Sequence, residues 1–143
     1  MTIGRLMEGR EASITTCHKD LSVSDAAAIL AERRIGALPV LHNGTIVGIF
    51  SERDLVYKLA EFGPTVLQKT VGEVMTAPAV TVEPETEVLA ALSLMTRRRL
   101  RHFPVVSEGR MVGFISIGDL VKYRIDKIQS EAEAMRRNYI QTA

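Results

Sequence analysis

The feature that most limits what this chain can fold into is that it nearly repeats itself. Residues 33–56 laid over residues 98–121 give 11 identities in 24 positions without a gap, at a constant offset of 65. Pro39 falls on Pro104, Gly44 on Gly109, Gly48 on Gly113, Ser51 on Ser116 and Asp54 on Asp119. Self-similarity at a fixed period means one supersecondary unit used twice, with each copy covering apolar surface that the other cannot bury alone. A fold of two pseudo-symmetric halves is expected, and 143 residues suit one compact unit of that kind.

The repeated unit can be read element by element. Val23, Ala26, Ala27 and Leu30 fall on Val88, Ala91, Leu92 and Met95 at the same offset, and the i, i+3, i+4, i+7 spacing predicts a core-facing helix in each copy. Ser22 with Asp25 resembles a capping box at the first start, and Glu85 and Glu87 suit the positive end of the second helix dipole. Apolar, largely β-branched runs then flank His42-Asn43-Gly44 and Ser107-Glu108-Gly109, which reads as two tightly joined strands. Helical patterning resumes after Ser51 and Ser116, with Leu55, Val56, Leu59 and Phe62 in the first copy. Ile14, Thr15 and Thr16 align with Val80, Thr81 and Val82 as the entering strands. Each repeat is therefore strand, helix, strand, strand, helix, an α/β (α+β) fold.

Phe62-Gly63-Pro64-Thr65 breaks the pattern between copies, and VGEVM (71–75) echoes IGRLM (3–7). The expected division is a first repeat over 1–66, a second over 67–124 and a C-terminal helix over 125–143, with 8–13 as a surface loop. In the tail, Ile125, Ile128, Ala132, Met135 and Tyr139 recur at alternating spacings of 3 and 4. Flanked by Lys127, Glu131, Glu133, Arg136 and Arg137, this narrow stripe reads as a seam between two subunits, against the alternative of a helix folded back on its own module.

Composition removes several function classes. A net charge of +1 with 5% aromatic residues argues against an extended nucleic-acid footprint, although the run Arg97, Arg98, Arg99, Arg101, His102 keeps that reading as an alternative. Cys17 is the sole cysteine, so no intrachain disulfide can form. No signal-peptide core and no membrane-length apolar run occur, and a cytoplasmic home without membrane contact is expected. Cys17-His18 has no second cysteine or His-Glu-x-x-His pattern to make a metal site, and no phosphate-loop motif is present. No nucleophile and base pair stands out, so neither a catalytic residue nor a catalytic cofactor is assigned, and an enzyme on this scaffold is the least favoured alternative.

GALPVL…VGIFSERDLV and RHFPVV…VGFISIGDLV resemble the CBS-domain family, whose hallmark is a Pro-Val strand followed by Gly, two apolar residues, Ser or Thr, and an Asp three positions on. The resemblance covers roughly residues 3–124. It implies a tandem pair, packed about a pseudo-twofold axis, that takes AMP, ADP, ATP, NAD or S-adenosylmethionine in clefts between the repeats. It also implies pairing of two modules and output through an unknown effector protein. Adenine nucleotide is thus the expected regulatory ligand.

Ser51 with Asp54, and Ser116 with Asp119, have the spacing of capping boxes. A capped helix N-terminus also attracts anions, and the resemblance implies phosphate near the serines and ribose hydroxyls on the aspartates. Arg101 and His102 precede the Phe103-Pro104 strand where the resemblance puts phosphate-binding basic residues, whereas Gly36 and Ala37 precede Leu38-Pro39 in the first copy. The phosphate near the second copy is expected to have cationic partners, and the first copy to rely on Arg53 or on residues reaching across. Thr16 and Thr81 are candidates to meet adenine or phosphate, and Leu38 and Phe103 to pack on the base. Arg33, Arg34, Arg97 and Arg98 read as solvated helix-end residues.

Overall fold

The computed structural model describes residues 1–8 and 14–142, so all of the expected loop but Glu8 lies outside the described residues. In chain order the elements are α1 (Ile3–Met7), β1 (Cys17–His18), α2 (Val23–Arg33), β2 (Ala37–His42), β3 (Thr45–Ser51), α3 (Glu52–Phe62), α4 (Val71–Val74), α5 (Val88–Arg98), β4 (His102–Ser107), β5 (Arg110–Ser116) and α6 (Ile117–Thr142). Two antiparallel hairpins, β2–β3 and β4–β5, form the centres of the two repeats.

Local chemistry repeats as closely as the sequence does. Asn43 and Gly44 have φ of 52° and 76°, and Glu108 and Gly109 have 50° and 76°, so both hairpins turn through two left-handed residues that match strand twist. Each hairpin carries a register shift at the same place, after Val40 and after Val105. Ser22 Oγ accepts the Asp25 N–H at 3.0 Å to start α2. α2 and α5 end at Arg34 and Arg99, both left-handed at φ of 52° and 55°.

The entering strands are shorter and later than the sequence suggests. β1 pairs parallel with Val40 and Leu41 through Cys17 and His18, and the Lys19 N–H extends the ladder to the Leu41 carbonyl at 3.0 Å. In the second copy only a single bridge joins Val82 to Val105. The residue aligned with Lys19 is Pro84, which has no N–H to donate, and the ladder stops there.

The echoed segments cross over between repeats. Ile3 is fully buried in the second core with Val88, Met95, Phe103, Ile115 and Leu120. Val71 and Val74 belong to the first core with Val23, Leu38, Val40 and Phe50. The Gly4 N–H donates to the Pro84 carbonyl at 2.8 Å, and the Gly72 N–H to the Lys19 carbonyl at 2.8 Å. The crossing ties the halves together: Met75 lies on Gly48 and Met7 on Gly113, where any β-carbon would collide with the methionine sulfur.

α6 runs unbroken for 26 residues. Tyr123 still packs against the second core, but Ile125, Ile128 and Met135 are 49%, 49% and 73% exposed. Among the described residues the stripe on α6 is thus left exposed. No helix among the described residues is long and apolar enough to cross a membrane.

Candidate functional site

Two clefts lie between the repeats, and each draws on both. The first is lined by Ser51, Glu52, Arg53 and Asp54 at the start of α3, by Thr76, Pro78 and Val80 on the connecting chain, and by Arg99, Arg101 and His102 from the second repeat. The second is lined by Ser116 and Asp119 at the start of α6, by Arg34, Gly36 and Ala37 from the first repeat, and by Met7, Ile14, Thr15, Val112 and Phe114. Residues 34–37 serve the second cleft as residues 99–102 serve the first. The residue pair before each Pro-Val strand therefore faces the Ser-x-x-Asp of the other repeat.

That crossing changes the charge distribution expected from sequence. Arg101 lines the first cleft, not the second, and His102 lines both. The sequence leaves the first copy to Arg53 or to residues reaching across, and a one-dimensional alignment cannot show which residues reach. The first cleft accordingly gathers Arg53, Arg99 and Arg101 around Asp54 and Glu52.

Asp54 is fixed by three donors. Its Oδ2 accepts the Ser51 N–H at 2.9 Å and the Ser51 hydroxyl at 3.0 Å, and its Oδ1 accepts the Thr76 hydroxyl at 2.8 Å. The Asp54 N–H donates back to Ser51 Oγ at 3.2 Å, which completes the capping box. A carboxylate offers about four lone-pair sites, so these three bonds orient the group and leave acceptor capacity for a ligand hydroxyl. In the second copy the Ser116 N–H donates to Asp119 Oδ2 at 2.8 Å and the Asp119 N–H to Ser116 Oγ at 3.2 Å.

The helix N-termini offer less to an anion than the motif implies. The Glu52 N–H already donates to the Gly36 carbonyl at 3.0 Å, and the Ile117 N–H to the Arg101 carbonyl at 2.7 Å. With the Asp54 and Asp119 N–H groups also engaged, attraction for a phosphate passes to the guanidinium groups, whose charge-assisted bonds are the stronger kind. Arg53 is placed for this: its Nη1 spans the first cleft and donates to the Arg99 carbonyl at 3.0 Å.

His102 is half-buried, with its ring stacked on Phe114 at 5.4 Å between centroids and 12° between planes. Burial holds it below the usual imidazole range and Arg101 adds to that, while Asp119 and Glu52 pull the other way. Cys17 is buried in the first core, and burial pushes its thiol up to about 11, which keeps it protonated and unreactive at neutral pH.

Of the other candidates, Gly36 lines both clefts and Ala37 the second. Leu38 and Phe103 are fully buried and fill the two cores. Pro39 and Pro104 are buried within β2 and β4, and Thr16 and Thr81, which lie just outside the paired residues Cys17 and Val82, line neither cleft. Sequence reasoning missed Thr76, Arg34 and Arg99. The repeated Arg-Arg at 33–34 and 98–99 was the available signal for the last two.

A family model for the CBS domain matches residues 10–61 and again 71–126. The chain belongs to the CBS-domain family. A CBS domain-containing protein of Arabidopsis thaliana, CBSX3, named as mitochondrial, is 35% identical over 149 residues, covering 98% of this chain and 72% of the relative. The solved CBS-domain protein ATU1752 of Agrobacterium tumefaciens is 37% identical with a TM-score of 0.83, covering 87% of this chain and 99% of that one. Two further CBS structures hold ligands. CBSX2, solved with AMP, is 28% identical with a TM-score of 0.73 over 87% of this chain and 96% of its own. The CBS pair of protein MJ0100, solved with 5′-methylthioadenosine and S-adenosyl-L-methionine, is 26% identical with a TM-score of 0.77 over 89% and 98%.

Proposed function

We propose that this CBS pair is a cytoplasmic regulatory module that binds an adenine nucleotide between its repeats, with the first cleft the principal site for a phosphate-bearing ligand. The observation that carries this reading is the pairing, across one cleft, of an oriented acceptor, Asp54, with Arg53, Arg99 and Arg101. Such a site suits a ligand with ribose hydroxyls at one end and phosphate at the other. The AMP-bound and adenosyl-bound relatives support the ligand class, and AMP, ADP, ATP and NAD all meet the chemistry.

The module on this reading works as a pair. Val56, Leu59 and Phe62 on α3 and Val121, Ile125 and Ile128 on α6 are each between 40% and 59% exposed. Apolar helix faces of this kind mark interaction surfaces. A ligand that favours one arrangement of the repeats would then bias the pair, and an effector protein would read the difference.

The test is thermal melting with each nucleotide at millimolar concentration. A ligand that binds only the folded chain raises the melting temperature by mass action, so AMP or one of its homologues is expected to stabilise the protein. No shift with any of AMP, ADP, ATP or NAD, alongside a shift with an unrelated metabolite, contradicts the reading.

A further inference from the structure

One side chain belongs to both clefts. His102 lines the first beside Arg101 and the second beside Asp119, and its ring Cε1 is 3.5 Å from where a β-carbon on Gly36 would stand. No larger side chain at position 36 separates the imidazole from the neighbouring repeat. The ring is stacked on Phe114, a second-cleft residue, so it cannot turn away from that cleft without losing the contact.

The charges around the ring come from every element that meets there. α3 supplies Glu52, Arg53 and Asp54 on the first-cleft side, and α6 supplies Asp119 on the second. The residue before it is Arg101, and the C-terminal ends of α5 and α2 bring Arg99 and Arg34 to the two clefts. An anion placed among Arg53, Arg99 and Arg101 joins Glu52 in facing the ring, and a nearby negative charge favours the protonated imidazole.

We propose that His102 couples phosphate binding in the first cleft to uptake of one proton, and so to the charge on the wall of the second cleft. The inference rests on the nucleotide reading and specifies how that site is regulated. A phosphate-bearing ligand binds, one proton leaves solvent for the ring nitrogen, and the imidazolium formed is shared with the cleft that Asp119 lines. Burial keeps the free ring neutral near pH 7, which leaves it able to take the proton. By linkage, a cationic ligand in the second cleft binds more weakly once the first is filled, and weakens the first in turn by the same factor.

The experiment is an NMR titration of the His102 ring proton between pH 5 and 8.5, with and without saturating AMP and with adenosine as the phosphate-free control. Only three histidines are present, and His102→Gln identifies the resonance by its loss. AMP is expected to raise the His102 midpoint by about one unit, equivalent to about a tenfold gain in AMP affinity on moving below the free midpoint, with adenosine leaving it near its starting value. A phosphate monoester itself titrates near pH 6, so the wild-type ring signal, not the affinity profile alone, is the deciding readout. Calorimetry of AMP in two buffers of different ionisation enthalpy gives the net proton count of ring and phosphate together, and the same measurement on His102→Gln isolates the ring's share. Binding of AMP with an unmoved His102 midpoint overturns this inference and leaves the nucleotide reading standing. Failure of AMP to bind overturns both.

Discussion

Arg53 Nη1 lies 3.0 Å from the carbonyl oxygen of Arg99, and this bond joins the first repeat to the second across the first cleft. A phosphate oxygen is a stronger acceptor for a guanidinium than a peptide carbonyl, so ligand and latch compete for the same group. Arg53→Ala is expected to weaken AMP binding about tenfold or more, in keeping with loss of one charge-assisted bond. Because the contact is exposed, its loss is expected to lower unfolding stability by less than about 1 kcal/mol. Calorimetry and urea denaturation of the same variant separate the two effects. Equal AMP affinity in both proteins would remove Arg53 from the site.

Gly48 and Gly113 test the crossing of the echoed segments. A β-carbon at Gly48 would lie 2.6 Å from Met75 Sδ and 2.8 Å from the Thr76 carbonyl, which is backbone and cannot swing aside. At Gly113 the obstruction is the flexible Met7 side chain. Gly48→Ala is expected to cost about 1–3 kcal/mol by overpacking, and Gly113→Ala less. It is also expected to disturb the first cleft, since Thr76 holds Asp54. Denaturation midpoints in the reverse order would contradict the assigned packing.

His102 gives stability a pH dependence of definite sign. Its folded pKa lies below the ordinary value of 6.5, so near that pH the unfolded chain binds more protons than the folded one. The stability this contributes is present above about pH 6.5 and is lost as pH falls through the folded value. His102→Gln is expected to flatten the fall in melting temperature between pH 7 and 5 relative to wild type. Parallel profiles would show that the ring is not held neutral.

Much of this was legible in the sequence, and the losses have identifiable causes. The constant offset of 65 placed both hairpins, both core helices and both capping boxes, because these depend on residues close together in the chain. What it could not show was which half each piece packs on. IGRLM and VGEVM were recognised as echoes, yet Ile3 lies in the second core and Val71 in the first. Nor does the alignment show that Arg101 reaches the cleft of the other repeat's Ser-x-x-Asp. Leu38 and Phe103 sit next to cleft residues in sequence, but strand alternation sends their side chains into the cores. Thr76 gave no pattern to read, since its role rests on one bond to a carboxylate 22 residues away.

The exposed stripe on α6 predicts self-association. Ending the chain after Arg124 keeps Tyr123 on the second core and removes Ile125, Ile128 and Met135. The shortened chain is expected to melt as a folded protein and to associate more weakly by sedimentation at tens of micromolar. A full-length chain that sediments as a single copy at that concentration would contradict the seam.

Binding of an adenine nucleotide at Asp54 between the repeats is tested by calorimetric titration of AMP into wild type, Asp54→Ala and Thr76→Val. Asp54→Ala removes the hydroxyl acceptor and one half of a capping box, so about ten- to a hundredfold loss of affinity is expected with about 1 kcal/mol of stability. Thr76→Val keeps the carboxylate but frees its Oδ1, and a smaller loss is expected. The expected order is wild type tightest and Asp54→Ala weakest, with all three proteins folded. Wild-type affinity in a folded Asp54→Ala protein would contradict it.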